Sequence, residues 1–150
     1  MPSRWDLLLE SKPVPIVDHL LDEVAKLLAA DLAKWPLPVV DVDPVAGRQF
    51  APLLEPGSPR PEEAVFEEAI RVARWELERE IDASADYFRN RRFTERGLPE
   101  EARTPILFIS RWLVEQLLSL REHTHSRVTR AQLVQCLDRI PRSRPPVVRG

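Results

Sequence analysis

The most constraining feature of this sequence is the apolar segment TPILFISRWLVEQLLSLREH at residues 104–123. On a helix, its large apolar side chains occupy most of the circumference. These side chains are Ile106, Leu107, Phe108, Ile109, Trp112, Leu113, Val114, Leu117, Leu118 and Leu120. Such a helix is stable only when neighbouring elements cover it on several sides. We therefore predict a central helix, with Thr104 as its N-cap and Pro105 in its first turn.

Three further segments have the apolar periodicity of amphipathic helices that would cover this central one. They are residues 15–35, 60–92 and 129–140. Ser58 is a candidate cap for the second helix, and the polar residues from Asp82 to Asp86 predict a kink within it. The fourth begins with Thr129 and Gln132 at the spacing of a capping box. The predicted fold class is all-α, a small bundle of four main helices.

The segment between the first two helices, residues 36–61, contains seven prolines and two glycines. Proline lacks a backbone N–H, which excludes a helix or a central strand here. Interleaved valine, leucine and phenylalanine residues argue against a purely polar linker. We predict an extended insert along the body of a single helical domain, residues 1–150, with a short strand as an option at Pro38–Val42. A boundary between two units is the alternative. Residues 141–150 are expected to form a flexible basic tail.

Composition limits the classes of function. The formal net charge of −2 gives no general affinity for phosphate or for a membrane surface. The single cysteine, Cys136, has no partner for an internal disulfide, which is typical of a reducing compartment. The apolar run Leu7–Leu9 is too short for a signal peptide or a membrane span. We therefore expect a cytoplasmic protein that does not associate with membranes.

Histidine and cysteine residues give little indication of a metal site. His123 and His125 are two residues apart at a helix end, and Cys136 is the only plausible third ligand, whereas zinc needs three or four. His19 and Glu23, four residues apart, predict a surface pair. We expect no metal and no cofactor.

The acidic residues of the second helix also favour a structural interpretation. Glutamates are frequent between residues 62 and 80, but no Glu-x-x-His motif of a di-metal carboxylate site accompanies them. We expect them to form a solvated face that pairs with Arg71, Arg74 and Arg79. The glycines are isolated, so no phosphate-binding loop is present either. The chain is predicted not to be an enzyme.

Surplus apolar residues indicate binding to other proteins. Trp5 and Leu8 lie in RWDLLLE, which is too short for a stable helix alone and would either fold back on the body or dock in a partner groove. Trp75 lies off the main apolar stripe of the second helix, as interface aromatics often do. We interpret these three as candidate partner-binding residues. The predicted function is a helical protein-interaction module (an adaptor, regulatory subunit or small chaperone) that self-associates as a homodimer.

An uneven charge distribution supports an alternative function. The last 30 residues contain seven arginines and only two acidic residues. The alternative is a nucleic-acid-associated accessory protein, or one that binds an acidic partner through this region. The residues that would carry it are Arg127, Arg130, Arg139, Arg142 and Arg144.

Two short resemblances bear on the same region. The segment VTRAQLVQCL, after a long apolar helix and a basic loop, resembles the closing part of a histone fold over about residues 104–140. That resemblance implies dimerisation, although the second helix is longer than that fold requires and the chain is acidic. The same segment also resembles the first helix of a helix-turn-helix unit. Pro141 follows where the recognition helix would have to begin, which argues against that unit.

Overall fold

A computed structural model describes Trp5 and residues 17–37, 57–79, 92–124 and 128–140. The four long helices are α1 (Val17–Ala33), α2 (Glu63–Arg79), α3 (Arg103–His123) and α4 (Arg130–Arg139). A single helical turn, Arg92–Glu95, and a 3₁₀ turn, Glu100–Ala102, precede α3. Within these ranges every regular element is helical, which confirms the all-α fold class.

The predicted cap of α2 is wrong. Its predicted start was residue 60, but the helix begins at Glu63, so Ser58 lies too far upstream to cap it. The Ser58 hydroxyl instead accepts a hydrogen bond from Trp35 Nε1 at 2.9 Å. Residues 80–91, where the kink was predicted, lie outside the described residues.

The predicted cap of α3 is also wrong, because the helix begins before Thr104. Its N-cap is Ala102, which has no side-chain capping bond, and Arg103 is the first helical residue. The 3₁₀ turn replaces a capping side chain, since the Arg103 N–H donates to the Glu100 carbonyl. An N–H that would otherwise be left exposed at the helix start is satisfied by backbone alone.

The capping box of α4 is confirmed. The Gln132 N–H donates to Thr129 Oγ1 at 3.2 Å, and the Thr129 N–H donates to Gln132 Oε1 at 2.8 Å. Substituting an N-cap threonine by alanine typically costs about 1 kcal/mol of stability. The pair therefore fixes where this ten-residue helix begins.

The predicted burial of α3 in the core is confirmed. The buried apolar side chains of α3 are Ile106, Phe108, Ile109, Trp112, Leu113, Val114, Leu117 and Leu120. The helix packs along α2, and α4 packs against both α1 and α2. Trp5 is only 2% exposed and belongs to the same core, so this side chain folds back onto the helical body.

Polar contacts join α4 to its two neighbours. Arg139 forms an ion pair with Asp22 of α1 at 3.3 Å, and Asp138 forms one with Arg74 of α2 at 3.0 Å. Beneath them, the Cys136 thiol donates to the Leu21 carbonyl of α1 at 3.6 Å. Helix α4 thus ties α1 and α2 together, and we call this region the α4 end of the bundle.

Candidate interaction cleft between the starts of α2 and α3

An arginine fixes the segment that leads into α2. Arg60 donates from Nε and Nη2 to the Leu32 carbonyl at 3.3 and 3.0 Å, and from Nη1 to Glu63 at 2.7 Å. Its guanidinium also lies 4.2 Å from the centroid of the Phe66 ring. Carbonyls in the last turn of a helix lack intrahelical partners, so Arg60 satisfies one of those at the end of α1. The end of α1 and the start of α2 are thereby held together.

An aromatic cluster lies beneath this contact. Trp35 packs edge-to-face against Phe66 of α2 and Phe108 of α3, with ring centroids 6.0 and 6.1 Å apart. Such pairs contribute about 0.5–1.5 kcal/mol beyond the area they bury. The Trp35–Pro36 peptide bond is cis. These contacts place the first turns of α2 and α3 at the same end of the bundle.

The loop before α3 supplies the opposite wall. Gly97 has a φ of +75°, a conformation that suits glycine, and its N–H donates to the Thr94 carbonyl at 3.1 Å. Arg96 in this turn lies 3.7 Å from Glu68 of α2, and Arg71 lies 3.1 Å from the same carboxylate. Glu68 is 4% exposed, so the prediction of a fully solvated glutamate face is wrong at this residue. Its burial between two arginines connects the loop to α2.

Between these walls lies a cleft of about 560 Å³. Its volume falls within the range typical of ligand sites, roughly 300–1,000 Å³. The lining residues are Pro59, Arg60, Pro61, Glu62, Val65, Leu98, Pro99, Glu101, Ala102, Thr104 and Pro105. Val65 and Ala102 are buried in its floor, and the prolines and Leu98 add further apolar surface. The cleft is thus mainly apolar and open to solvent.

Two glutamates stand at the rim of the cleft. Glu62 and Glu101 are both exposed, and neither carboxylate makes an ion pair or hydrogen bond with another described residue. Both belong to a Pro-Glu-Glu tripeptide, which occurs at 61–63 at the start of α2 and again at 99–101 before α3, although Glu62 is the second residue of its tripeptide and Glu101 is the third. The repeat was not recognised from sequence, although it is the signal that would have indicated this site.

The lining of the cleft is apolar apart from a few charged and polar groups. Among the lining residues there is no histidine, cysteine or aromatic side chain, so the cleft has no stacking platform. Nowhere in the described ranges do three or more metal-ligating side chains come together. An apolar floor with a few charged groups at its edge is typical of a recognition site.

The predicted partner-binding residues lie elsewhere. Trp5 is buried, and Leu8 is outside the described residues. Trp75 is half-buried, with the Arg79 guanidinium 5.7 Å from its ring. Neither tryptophan lines the cleft. The buried side chain of Trp5 is not accessible to a partner, whereas Trp75 offers a partly accessible aromatic surface.

The arginines of the alternative function are divided between internal contacts and undescribed positions. Arg130 donates to the Leu77 carbonyl of α2 at 3.2 Å, and Arg139 pairs with Asp22. Arg127, Arg142 and Arg144 lie outside the described residues. Because both described arginines make contacts within the bundle, the described part of the chain gives the nucleic-acid alternative little support.

The candidate metal-ligating residues are also separated by the fold. His19 is exposed, and Glu23 lies 3.7 Å from Lys26 on the same helix. His123 Nδ1 lies 2.8 Å from the Ser119 carbonyl, and His125 is outside the described residues. Cys136 is buried, which raises the pKa of its thiol to about 12. At neutral pH this cysteine is therefore a protonated core residue.

Comparison with known proteins adds no identity. No protein-family model, curated protein or solved structure matches the chain. None of the helices in the described ranges is long and apolar enough to cross a bilayer. The geometry of the cleft is therefore the basis for a proposal of function.

Proposed function

We propose that this chain is a non-enzymatic helical protein-interaction module that binds a segment of a partner protein in the cleft between the starts of α2 and α3. The observation that carries the proposal is an open apolar cleft of about 560 Å³, at whose rim lie two carboxylates that pair with no other described residue. Its walls are fixed by Arg60 and by the buried carboxylate of Glu68, so little ordering cost accompanies binding. An adaptor, a regulatory subunit and a small chaperone all use such a site.

A protein segment suits this cleft better than a nucleic acid does. Phosphates would meet the exposed carboxylates of Glu62 and Glu101, and like-charge contacts at an interface cost affinity. Bases would find no aromatic ring to stack on among the lining residues. An extended peptide can place an apolar side chain on Val65 and Ala102 while its backbone stays solvated.

Self-association is a separate part of the proposal and has weaker support. Among the described residues, Leu27 of α1 is the only exposed large apolar side chain, with an exposed fraction of 36%. A single exposed apolar residue supplies much less apolar area than the interface of an obligate homodimer buries. Light scattering over a range of concentrations tests the point. A constant mass of 17.3 kDa would remove self-association from the proposal and leave the cleft unaffected.

The cleft is tested by selection from a displayed library of random ten-residue peptides. Thr104→Trp would fill the cleft, because Thr104 is half-buried in its lining. Gln135→Trp is the control, since Gln135 is exposed on α4 and does not line the cleft. We expect peptides that bind the wild type and Gln135→Trp equally and lose at least about tenfold in affinity on Thr104→Trp, which is about 1.4 kcal/mol. The proposal is wrong if no selected peptide distinguishes the two variants while both remain folded.

A further inference from the structure

We infer that the partner segment is basic as well as apolar, an extended peptide in which arginine or lysine lies next to proline, valine or leucine. The inference rests on the proposed function, because it names the chemistry of the partner for the same cleft. The juxtaposition behind it is an apolar floor between two exposed carboxylates, one on each wall, neither of them paired within the described residues.

Pairing elsewhere on α2 shows why these two carboxylates are distinctive. Glu63 pairs with Arg60, Glu68 with Arg71, and Glu78 with Arg74. Arginines thus pair with several glutamates of this helix, yet no described arginine pairs with Glu62, which directly precedes the helix. A partner cation placed between Glu62 and Glu101 would be attracted by both.

Arg60, the one cationic residue among those that line the cleft, already makes contacts within the bundle. Arg60 donates to the Leu32 carbonyl and to Glu63, and it stacks on Phe66. Recruiting it to an acidic ligand would break all of these contacts. The cleft therefore offers no cationic group to an acidic peptide at low cost, while its acidic groups are available to a basic one.

The helix dipoles do not reverse this conclusion. A helix N-terminus carries an equivalent of about half a positive elementary charge. At the start of α2 the charge of Glu63 is offset by Arg60, which leaves Glu62 against that half charge. At the start of α3, the two negative charges of Glu100 and Glu101 still exceed the positive charge of Arg103 and the half charge of the helix dipole taken together. Both walls remain negative on balance.

The apolar floor sets the rest of the partner. Arginine and lysine can lay their aliphatic stems along apolar surface while the charged head stays in water. Val65, Leu98 and Ala102 provide such a surface in the same cleft as the two carboxylates. An apolar residue beside the cation would cover the remaining floor, so the best ligand combines both properties.

The experiment analyses the peptides selected on the wild type and remeasures a synthetic peptide of their consensus by fluorescence anisotropy. We expect enrichment of arginine or lysine beside proline, valine or leucine, and depletion of aspartate and glutamate. The double variant Glu62→Gln/Glu101→Gln should weaken binding roughly three- to tenfold, as expected for two exposed ion pairs. The weakening should shrink as salt rises from 50 to about 500 mM, because salt screens exposed charges.

The control removes two carboxylates outside the cleft. Glu95→Gln/Glu122→Gln changes the net charge equally at two exposed positions and should leave the affinity within about twofold. Selected peptides that are acidic or neutral, or equal losses in both double variants, would overturn the inference. The proposed function would then still stand if Thr104→Trp blocks those peptides. Failure to find any peptide sensitive to Thr104→Trp would overturn the proposed function itself.

Discussion

The α4 end of the bundle and the end where α2 and α3 begin use the same kinds of residue for different purposes. At the α4 end, Asp22 and Asp138 each pair with an arginine of another helix, above a fully buried apolar layer. At the cleft end, Glu62 and Glu101 have no such partner in the part of the chain that the structure describes, and the apolar surface between them is open. Paired charges over a closed core hold helices together, whereas unpaired charges around an open apolar floor leave interactions available to a ligand.

This difference separates stability from binding. We expect substitutions at the α4 end to lower the free energy of unfolding without changing peptide affinity in the molecules that remain folded. Substitutions of the cleft carboxylates should do the reverse.

Removing a buried side chain at the α4 end should have the largest effect. Leu137 is completely buried, and Leu137→Ala should lower the free energy of unfolding by about 2–5 kcal/mol, since it removes buried methyl groups and leaves a cavity. Urea denaturation followed by circular dichroism measures the change. Leu27→Ala, at a position with 36% exposure, is the control and should cost less than about 1 kcal/mol. A loss of cleft affinity in folded Leu137→Ala would show that the two ends are coupled.

The helical framework was largely predictable from sequence, because periodicity depends only on local spacing. The apolar circumference of residues 104–123 correctly indicated a helix buried in the core, and Thr129 with Gln132 correctly indicated a capping box. Both signals lie within one element. They need no knowledge of what packs against it.

The errors at the helix starts arose where neighbouring elements decide the outcome. Ser58 has the chemistry of a cap, yet its hydroxyl accepts a hydrogen bond from Trp35, which is distant in sequence. Thr104 lost its predicted role because a 3₁₀ turn satisfies the Arg103 N–H. Glu68 appeared to be solvated because its sequence position does not show that Arg96 approaches it.

The cleft could not be predicted because it is a product of helix packing. Its two walls come from Pro-Glu-Glu tripeptides 38 positions apart, 61–63 and 99–101. Each tripeptide alone is an ordinary helix start, with proline and acidic residues where the helix dipole favours them. They form one site only because α2 and α3 begin side by side. The aromatic contacts of Trp35 with Phe66 and Phe108 help to fix that arrangement.

Alkaline pH should reveal the closed core at the α4 end. Burial raises the pKa of the Cys136 thiol to about 12, whereas a cysteine thiol in an unfolded chain has a pKa of about 8.5. Above that lower value the unfolded state releases a proton that the folded state keeps, so stability falls as pH rises towards the folded pKa. Between pH 8 and 10, the wild type should lose roughly 1–2 kcal/mol more than Cys136→Ala. Urea titrations at each pH measure the difference.

A thiol reagent provides the control for the alkaline experiment. Only the thiolate reacts, so native protein at pH 8 should modify very slowly, while protein in guanidinium chloride should react with one equivalent of reagent. Parallel pH profiles of the wild type and Cys136→Ala, together with rapid native modification, would mean that the α4 end opens readily. The α4 end would then be open to solvent in the way that the cleft end is, and the difference between the two ends would be lost.

The smallest effect concerns the charges themselves and bears most directly on the cleft. Arg74 and Asp138 are both more than 40% exposed, and their hydrogen bond raises the pKa of Arg74. A double-mutant cycle with Arg74→Gln and Asp138→Asn should give a favourable coupling of about 0.2–1 kcal/mol in the free energy of unfolding. The corresponding cycle with Glu62→Gln and Glu101→Gln should give no favourable coupling, because like charges cannot stabilise each other.

Each single cleft variant should cost only a few tenths of a kcal/mol, from the lost interaction with the helix dipole, and 0.5 M salt should reduce that cost. A larger cost that persists in salt would mean that Glu62 or Glu101 has a partner within the folded chain. Such a carboxylate would already be satisfied and would gain little from a peptide cation. The distinction between the two ends depends on this result. If Glu62 and Glu101 stabilised the fold, their charges would have the same role as the ion pairs at the α4 end.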